Sequence, residues 1–424
     1  MKRVAVVGGG LAGLSCAHAL HRRGIDSIVF ESGARTGGRD NAVLYLLAPD
    51  LFRNTFLLID ELGLRDEILP ISPHAGQVYK GRIYHHRVAS AAGLLSFKGL
   101  RFTDKAMLPR MAYLLARHSS ELDFHNPEAG LQFDKETVAS YVKRELSQNV
   151  LNYVAGPLIS TLFSFGSDET SAWLYLVLAK HMSSVRMSTL RRGVTRIAER
   201  LSKGLQIRNN HVIGRVEPKD GLYVVNGMSG EPFSDVVFAV PGDSVCNIDG
   251  IEAMLSDEDR KFFQDCRYQR VCSVRVRTER PVDGKCYAVA IPRVENLVAN
   301  TISFHDYIDP SAVQNGEGLL TISGGGAKAD SQELTQELHR LYSISPLQTE
   351  PIEWKQGMPK FPPGRYREIT AFQRRHRRPG LYFCGDYLLG PFIEGAITTG
   401  LRAAETIVAR SENAFGISDI DTLA

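Results

Sequence analysis

An α/β fold is predicted for this 424-residue chain by three features of its sequence. A β-turn-α-β unit, Lys2 to Arg39, opens it. Further short apolar runs of strand character follow a long helical stretch. A strand-like run, Leu381-Tyr382-Phe383-Cys384, then leads into a long C-terminal helix. Together they predict a Rossmann-like nucleotide-binding domain assembled from 1–65, 186–245 and 356–424. A second domain is expected to combine a helical cap within 66–185 with a mixed sheet within 246–355.

The opening unit carries the first chemistry. Val4-Ala5-Val6-Val7 reads as a buried parallel strand. Gly8-x-Gly10-x-x-Gly13 follows at once, with Leu11 and Ala12 in the first helical turn. Gly8 permits the tight turn, Gly10 lets a pyrophosphate approach the backbone, and Gly13 allows close packing of helix on strand. Unpaired N–H groups and the positive dipole end at the helix start favour phosphate. After Gly24 the run Ser27-Ile28-Val29-Phe30 ends at Glu31, 18 residues beyond Gly13 (31 − 13), followed by Ser32. Glu31 is placed to accept from a ribose hydroxyl and opposes a 2′-phosphate, since like charges repel. The unit alone leaves NAD and FAD open.

The next run is Arg35-Thr36-Gly37-Gly38-Arg39. It resembles the FAD signature of the flavin-containing amine oxidase superfamily, which includes monoamine oxidases, protoporphyrinogen oxidases and phytoene- or squalene-type desaturases. The resemblance implies FAD as cofactor, with Gly38 passing it closely and Arg39 meeting the diphosphate. Relatives usually insert a further strand, a turn and Asp-x-Gly before a helix ending Leu-Gly-Leu. Here Asn41 to Leu47 leads quickly to a helix over Phe56 to Leu64, without the Asp-x-Gly.

Composition excludes several classes. The chain has 50 basic and 47 acidic residues, net +3, which gives no support to nucleic-acid binding. Arg191-Arg192 and Arg374-Arg375-His376-Arg377-Arg378 read as solvated turns, the second also suiting peripheral contact with an anionic membrane. Six cysteines lack ligand spacing and read as reduced thiols, with a cytoplasmic location expected. No run approaches the ~18 apolar residues of a membrane span.

Gln77 to Tyr84 alternates around Lys80-Gly81 and reads as a hairpin. His85 and His86 follow it; neighbours on a strand face opposite ways, so this pair does not predict a metal site. Thr103 to Met182 shows helical spacing. Its Gly156-Pro157 and Ser171-Ala172 resemble the cap of protoporphyrinogen oxidases and desaturases, which implies a roof over a substrate pocket. Short strands are expected at Leu205 to Arg208, His211 to Ile213 and Tyr223 to Val225, then a buried one at Asp235 to Val240. In the family the valine matching Val212 meets the adenine end through its backbone. Val271 to Arg277, Cys286 to Ile291, Leu297 to Phe304 and Gly318 to Ser323 predict a mostly antiparallel sheet. Gly324-Gly325-Gly326 lacks the helix start and terminal acid that a second nucleotide site needs.

Gly385-Asp386 and Ile393-Glu394-Gly395-Ala396 complete the pattern. The resemblance implies that Gly385 and Asp386 meet the ribityl-phosphate part. It places the helix start from Ile393, with Glu394, Gly395 and Ala396, at the isoalloxazine. The small residues Gly395, Ala396 and Gly400 would let that helix approach flat rings or a sheet. No cysteine stands where monoamine oxidases attach flavin, so FAD is expected to be noncovalent. The flavin-facing lysine of many amine oxidases has no match in Tyr268-Gln269-Arg270-Val271-Cys272. The sequence assigns no catalytic residue and no metal.

The expected function is that of an FAD-dependent oxidoreductase taking hydride from a C–N or heterocyclic C–H of a small to medium molecule. Oxygen or a quinone would then accept the electrons. Carotenoid- or squalene-type C–C desaturation at a membrane surface is the alternative. A non-catalytic FAD-binding protein is the alternative from another class. Oligomeric state is left open.

Overall fold

A computed structural model describes residues 2–39, 47–88, 90–182, 186–313, 316–376 and 378–414. The short connection expected over Asn41 to Leu47 therefore lies outside the described residues, apart from Leu47.

Two sheets organise the chain. The first is parallel and five-stranded, in the order Leu381–Phe383, Asp235–Phe238, Arg3–Val7, Asp26–Phe30, Gln206–Arg208. Arg3–Val7 sits at its centre and pairs Val7 with Phe238 on one side and Phe30 on the other. Val4, Ala5 and Val6 have no exposed surface, which explains a run apolar on both faces. Each of the two valine side chains contributes about 1.5–3 kcal/mol through burial. Sequence-distant strands thus meet in one layer, as an interrupted nucleotide-binding domain requires.

The second sheet is mixed and seven-stranded, in the order Gln348–Pro359, Tyr268–Thr278, Gly318–Gly325, Ala299–Phe304, Ala288–Ala290, His74–Tyr79, Arg82–Arg87. The pairing of Ala288–Ala290 with His74–Tyr79 is parallel, and the other pairings are antiparallel. The hairpin turns at Lys80-Gly81, both with positive φ. Val274, Val276, Ile302, Phe304, Leu320 and Ile322 form this sheet's own core with Leu334 and Leu338 of the helix Ser331–Tyr342.

Between 91 and 182 the chain is helical, and Trp173 is its largest fully buried side chain. Thr137 caps the helix Val138–Glu145 by accepting from Ser140 N–H at 3.1 Å.

Some elements differ from the sequence expectation. His211 to Ile213 forms no strand. Tyr223 to Val225 is a strand as expected, within Leu222–Val225, which pairs with Val216–Lys219 in a separate two-stranded ribbon. A strand-like sequence records β-propensity but not the sheet it joins. Gly324 and Gly325 serve packing: a Cβ on Gly324 would lie 2.7 Å from the Val298 carbonyl, and one on Gly325 would lie 2.5 Å from Ser164 Cβ.

Candidate active site

The glycine-rich turn is built by close backbone approach. Gly8, at φ 112°, donates to the Phe30 carbonyl, and a Cβ there would sit 2.7 Å from the Ala239 carbonyl oxygen. A Cβ on Gly13 would fall 2.0 Å from the Gly8 carbonyl. A larger residue at either position would push the helix Leu11–Arg22 off the sheet. Gly10 is different: nothing lies within 4 Å of where its Cβ would be. That open space above a helix N-terminus is where a phosphate group can approach.

Glu31 holds this turn to the next loop. Its carboxylate accepts from Gly9 N–H at 2.8 Å and from Gly33 N–H at 2.6 Å, and the Ser32 hydroxyl lies at 3.3 Å. Gly37 N–H donates to the Gly9 carbonyl, and a Cβ on Gly38 would be 3.2 Å from Gly10 Cα. The Arg35–Arg39 run is therefore folded directly onto the turn.

Arg39 reaches the opposite wall. Its guanidinium donates to Asp386 Oδ2 at 2.8 Å and to the carbonyls of Gly357 and Gln356 at 2.8 and 3.1 Å. One cleft runs between these parts. It is lined by Gly10, Leu11, Ala12, Gly37, Arg39, Gly385, Asp386, Ile393 and Ala396, and by Ala239, Val240, Pro241, Gly357, Met358, Pro391 and Phe392. Gly385, at φ 154°, turns the strand end into it. Phe392 meets Phe163 at 5.1 Å, Phe124 at 5.2 Å and Phe52 at 5.8 Å between ring centroids. Through Phe163 and Phe124 the helical segment reaches the cleft.

Of the residues singled out from sequence, Gly8, Gly13, Glu31, Ser32 and Gly38 shape the turn rather than line the cleft. Val212 is 67% exposed and outside the lining, although the neighbouring His211 N–H donates to the Glu31 carbonyl. Glu394 and Gly395 start the C-terminal helix but do not line the cleft. The Glu394 carboxylate instead accepts from the N–H groups of Asn54 and Thr55 at 2.9 and 2.8 Å, from the Thr55 hydroxyl at 2.6 Å, and from His125 Nε2 at 2.7 Å. It caps the helix Arg53–Glu61 from across the fold. Burial opposes its ionisation, but the bonds from His125, Thr55 and Asn54 prevail and hold the carboxyl below the ordinary carboxylate range. A cap donated from a distant segment leaves no local sequence signature.

Gly395 accommodates the Gly390 carbonyl, 2.3 Å from where its Cβ would be. Gly400 accommodates the Ala12 carbonyl at 2.2 Å, so its neighbour is the helix Leu11–Arg22 rather than a ring or a sheet. Sequence reasoning also missed the cleft residues Met358 and Phe392, and Tyr268, whose hydroxyl accepts from Gly242 N–H at 2.7 Å beneath Arg39. Pro391-Phe392 reads in sequence only as a turn. A larger open groove of about 650 Å³ beside the helix Ser331–Tyr342 has neither the glycine turn nor the convergence of distant segments.

The family model for flavin-containing amine oxidoreductases matches residues 11–408. The chain belongs to that family. This flavoprotein is 22% identical to protoporphyrinogen oxidase 2, chloroplastic/mitochondrial, of Arabidopsis thaliana, with 97% of this chain and 95% of that protein aligned. In fold it is similar to cyclohexylamine oxidase from Brevibacterium oxydans, with TM-score 0.75, 16% identity and coverage of 97% and 99%. It is also similar to putrescine oxidase bound to putrescine, with TM-score 0.72, 18% identity and coverage of 96% and 99%. The flavoprotein is an FAD-dependent oxidoreductase that acts on a small molecule and passes electrons to an acceptor. The open space at Gly10, the helix N-terminus behind it and the cleft's extension to Ile393 and Ala396 fit such a cofactor. Among the described residues no helix is long and apolar enough to cross a membrane.

Proposed function

We propose that this enzyme removes hydride from a C–H beside nitrogen, in an amine or a nitrogen heterocycle, with FAD held noncovalently in the cleft described above. Bound there, FAD supplies the two-electron acceptor chemistry. Gly10, Leu11 and Ala12 would hold the diphosphate on the helix N-terminus, aided by Arg39. Glu31 has acceptor capacity left for a ribose hydroxyl. The N-terminal turn from Ile393 to Ala396 would face the isoalloxazine and favour negative charge there. Ser32, Gly38 and Val212 would contribute through backbone position.

One observation carries the reading of the reaction: the only ionisable side chains lining the cleft, among the described residues, are Arg39 and Asp386, and they pair with each other. The remaining lining is backbone, aliphatic or aromatic. Such walls offer no strong base, which suits hydride removal from a neutral, electron-rich carbon and not proton abstraction from an unactivated one. Cys384, which precedes Gly385 in the chain, is buried in apolar surroundings that push its thiol well above its ordinary value, consistent with noncovalent flavin.

The test is anaerobic mixing of the purified yellow protein with a panel of amines, reduced heterocycles and polyene or fatty substrates. Bleaching by an amine or heterocycle, reversed by oxygen or a quinone, is the expected result. Bleaching only by polyenes would replace the reading with C–C desaturation. Flavin bound without bleaching by any class would favour a non-catalytic role.

A further inference from the structure

The sequence gives no reason to link His85 with Asp283 and Cys286, yet the mixed sheet brings them together. His85 lies on the strand Arg82–Arg87, while Asp283 and Cys286 precede Ala288–Ala290. The strand His74–Tyr79 runs between, and Gly76 pairs with His85 on one side and Val289 on the other. A Cβ on Gly76 would lie 2.7 Å from Val289 Cγ2 and 3.6 Å from Cys286 Sγ. The glycine therefore leaves Val289 and Cys286 packed closely against the intervening strand. His85 Nε2 is 2.9 Å from Asp283 Oδ2, and one ligand atom from each of the three residues lies within 4.8 Å of the other two. His86 turns the other way and packs on Phe97.

We infer that His85, Asp283 and Cys286 form a binding site for one thiophilic divalent cation, with Zn²⁺ the best match to the ligand set. Imidazole nitrogen, carboxylate oxygen and thiolate sulfur are all zinc ligands, and three protein ligands leave a fourth position for water or the Tyr342 hydroxyl. The surroundings resemble those that hold metal ligands in place. Asp283 also accepts from Tyr342 Oη at 2.9 Å and from Lys285 N–H at 3.0 Å. The N–H groups of Gly76 and Ala288 face the Cys286 sulfur and would stabilise a thiolate. Asp283 and Cys286 are buried, whereas the His85 side chain is 28% exposed and gives a path in. A sulfur ligand in the set selects a soft metal over Mg²⁺ or Ca²⁺. A cation here would clamp the hairpin to the edge of the mixed sheet, independently of the flavin cleft.

The experiment uses the full-length, flavin-loaded protein, stripped with a chelator and titrated with Co²⁺ and then Zn²⁺. One equivalent of Co²⁺ should bind with tetrahedral d–d bands at wavelengths beyond the flavin absorption, and Zn²⁺ should displace it. X-ray absorption of the zinc form should show a sulfur scatterer at about 2.3 Å. His85→Gln and Cys286→Ser should each weaken binding by about 100-fold or more while flavin content stays unchanged. His85 is partly exposed, so its variant keeps the question testable should Cys286→Ser fail to fold. Absence of stoichiometric binding, a zinc shell without sulfur, or binding that survives both substitutions would overturn the site. In those cases His85, Asp283 and Tyr342 are a polar network only.

Discussion

Glu394 shows how much one buried charge can organise. It is fully buried, yet four N–H or O–H donors, from Asn54, Thr55 and Thr398, and His125 surround it, so it stays ionised. Its folded-state pKa is lowered, and its contribution is therefore fully present above the unfolded value of about 4.3 and lost as pH falls through the folded value. Glu394→Gln should cost about 2 kcal/mol at neutral pH. It should also flatten the stability profile below about pH 4; an unchanged acid slope in denaturant titrations would refute this role. His305 is a second buried titrating group. Burial, with Arg275 adding to it, pushes it down to about 4, and its Nε2 lies 2.8 Å from Thr321 Oγ1. The unfolded chain takes up that proton first, at about 6.5, so stability should fall by up to about 3 kcal/mol between pH 6.5 and 4. His305→Gln should remove that limb in thermal melts recorded across the interval, and a limb that persists would assign it to other groups. Neither shift is visible in the sequence, because burial and distant donors create both.

At the scale of elements, the crossing of the helices Leu11–Arg22 and Ile393–Ala414 is decisive. The first carries the glycine-rich turn and the second the turn from Ile393 to Ala396. Gly400 lets the two backbones touch, with the Ala12 carbonyl 2.2 Å from its would-be Cβ. Gly400→Ala should cost about 1–3 kcal/mol through overpacking. It should also weaken flavin binding, since the helices must separate just below the cleft. Chemical denaturation and flavin fluorescence titration measure the two effects; loss of stability with unchanged flavin affinity would uncouple the crossing from the cleft. The helices themselves were legible from apolar spacing. Their mutual approach was not, because small residues at helical spacing mark a close contact without naming the partner.

For the whole molecule, the cleft is assembled from segments near 10–12, 37–39, 239–241, 357–358 and 385–396. No one segment contains the site, so a cofactor bound there would stabilise the fold. Removing flavin should lower the melting temperature, and adding it back should restore stability by about 2.7 kcal/mol at a hundredfold excess over Kd. A melting temperature indifferent to flavin would argue against a cofactor held between these segments.

The sequence by itself determined the parallel nucleotide-binding unit, the family and the cofactor. The unit rests on short-range requirements: Gly8 and Gly13 have no room for a side chain, and Glu31 must end its strand beside the turn; the family and the cofactor rest on the resemblance carried by Arg35 to Arg39 and by Gly385 to Ala396. Only the tertiary structure decided that Glu394 caps a distant helix, that Gly400 faces Ala12, that Phe392 gathers Phe52, Phe124 and Phe163, and that His85 meets Asp283 across Gly76. Each of those contacts joins residues far apart in the chain. Local propensity and spacing carry no term for them, whereas close packing and the need to pair every buried charge settle them once the sheets have formed.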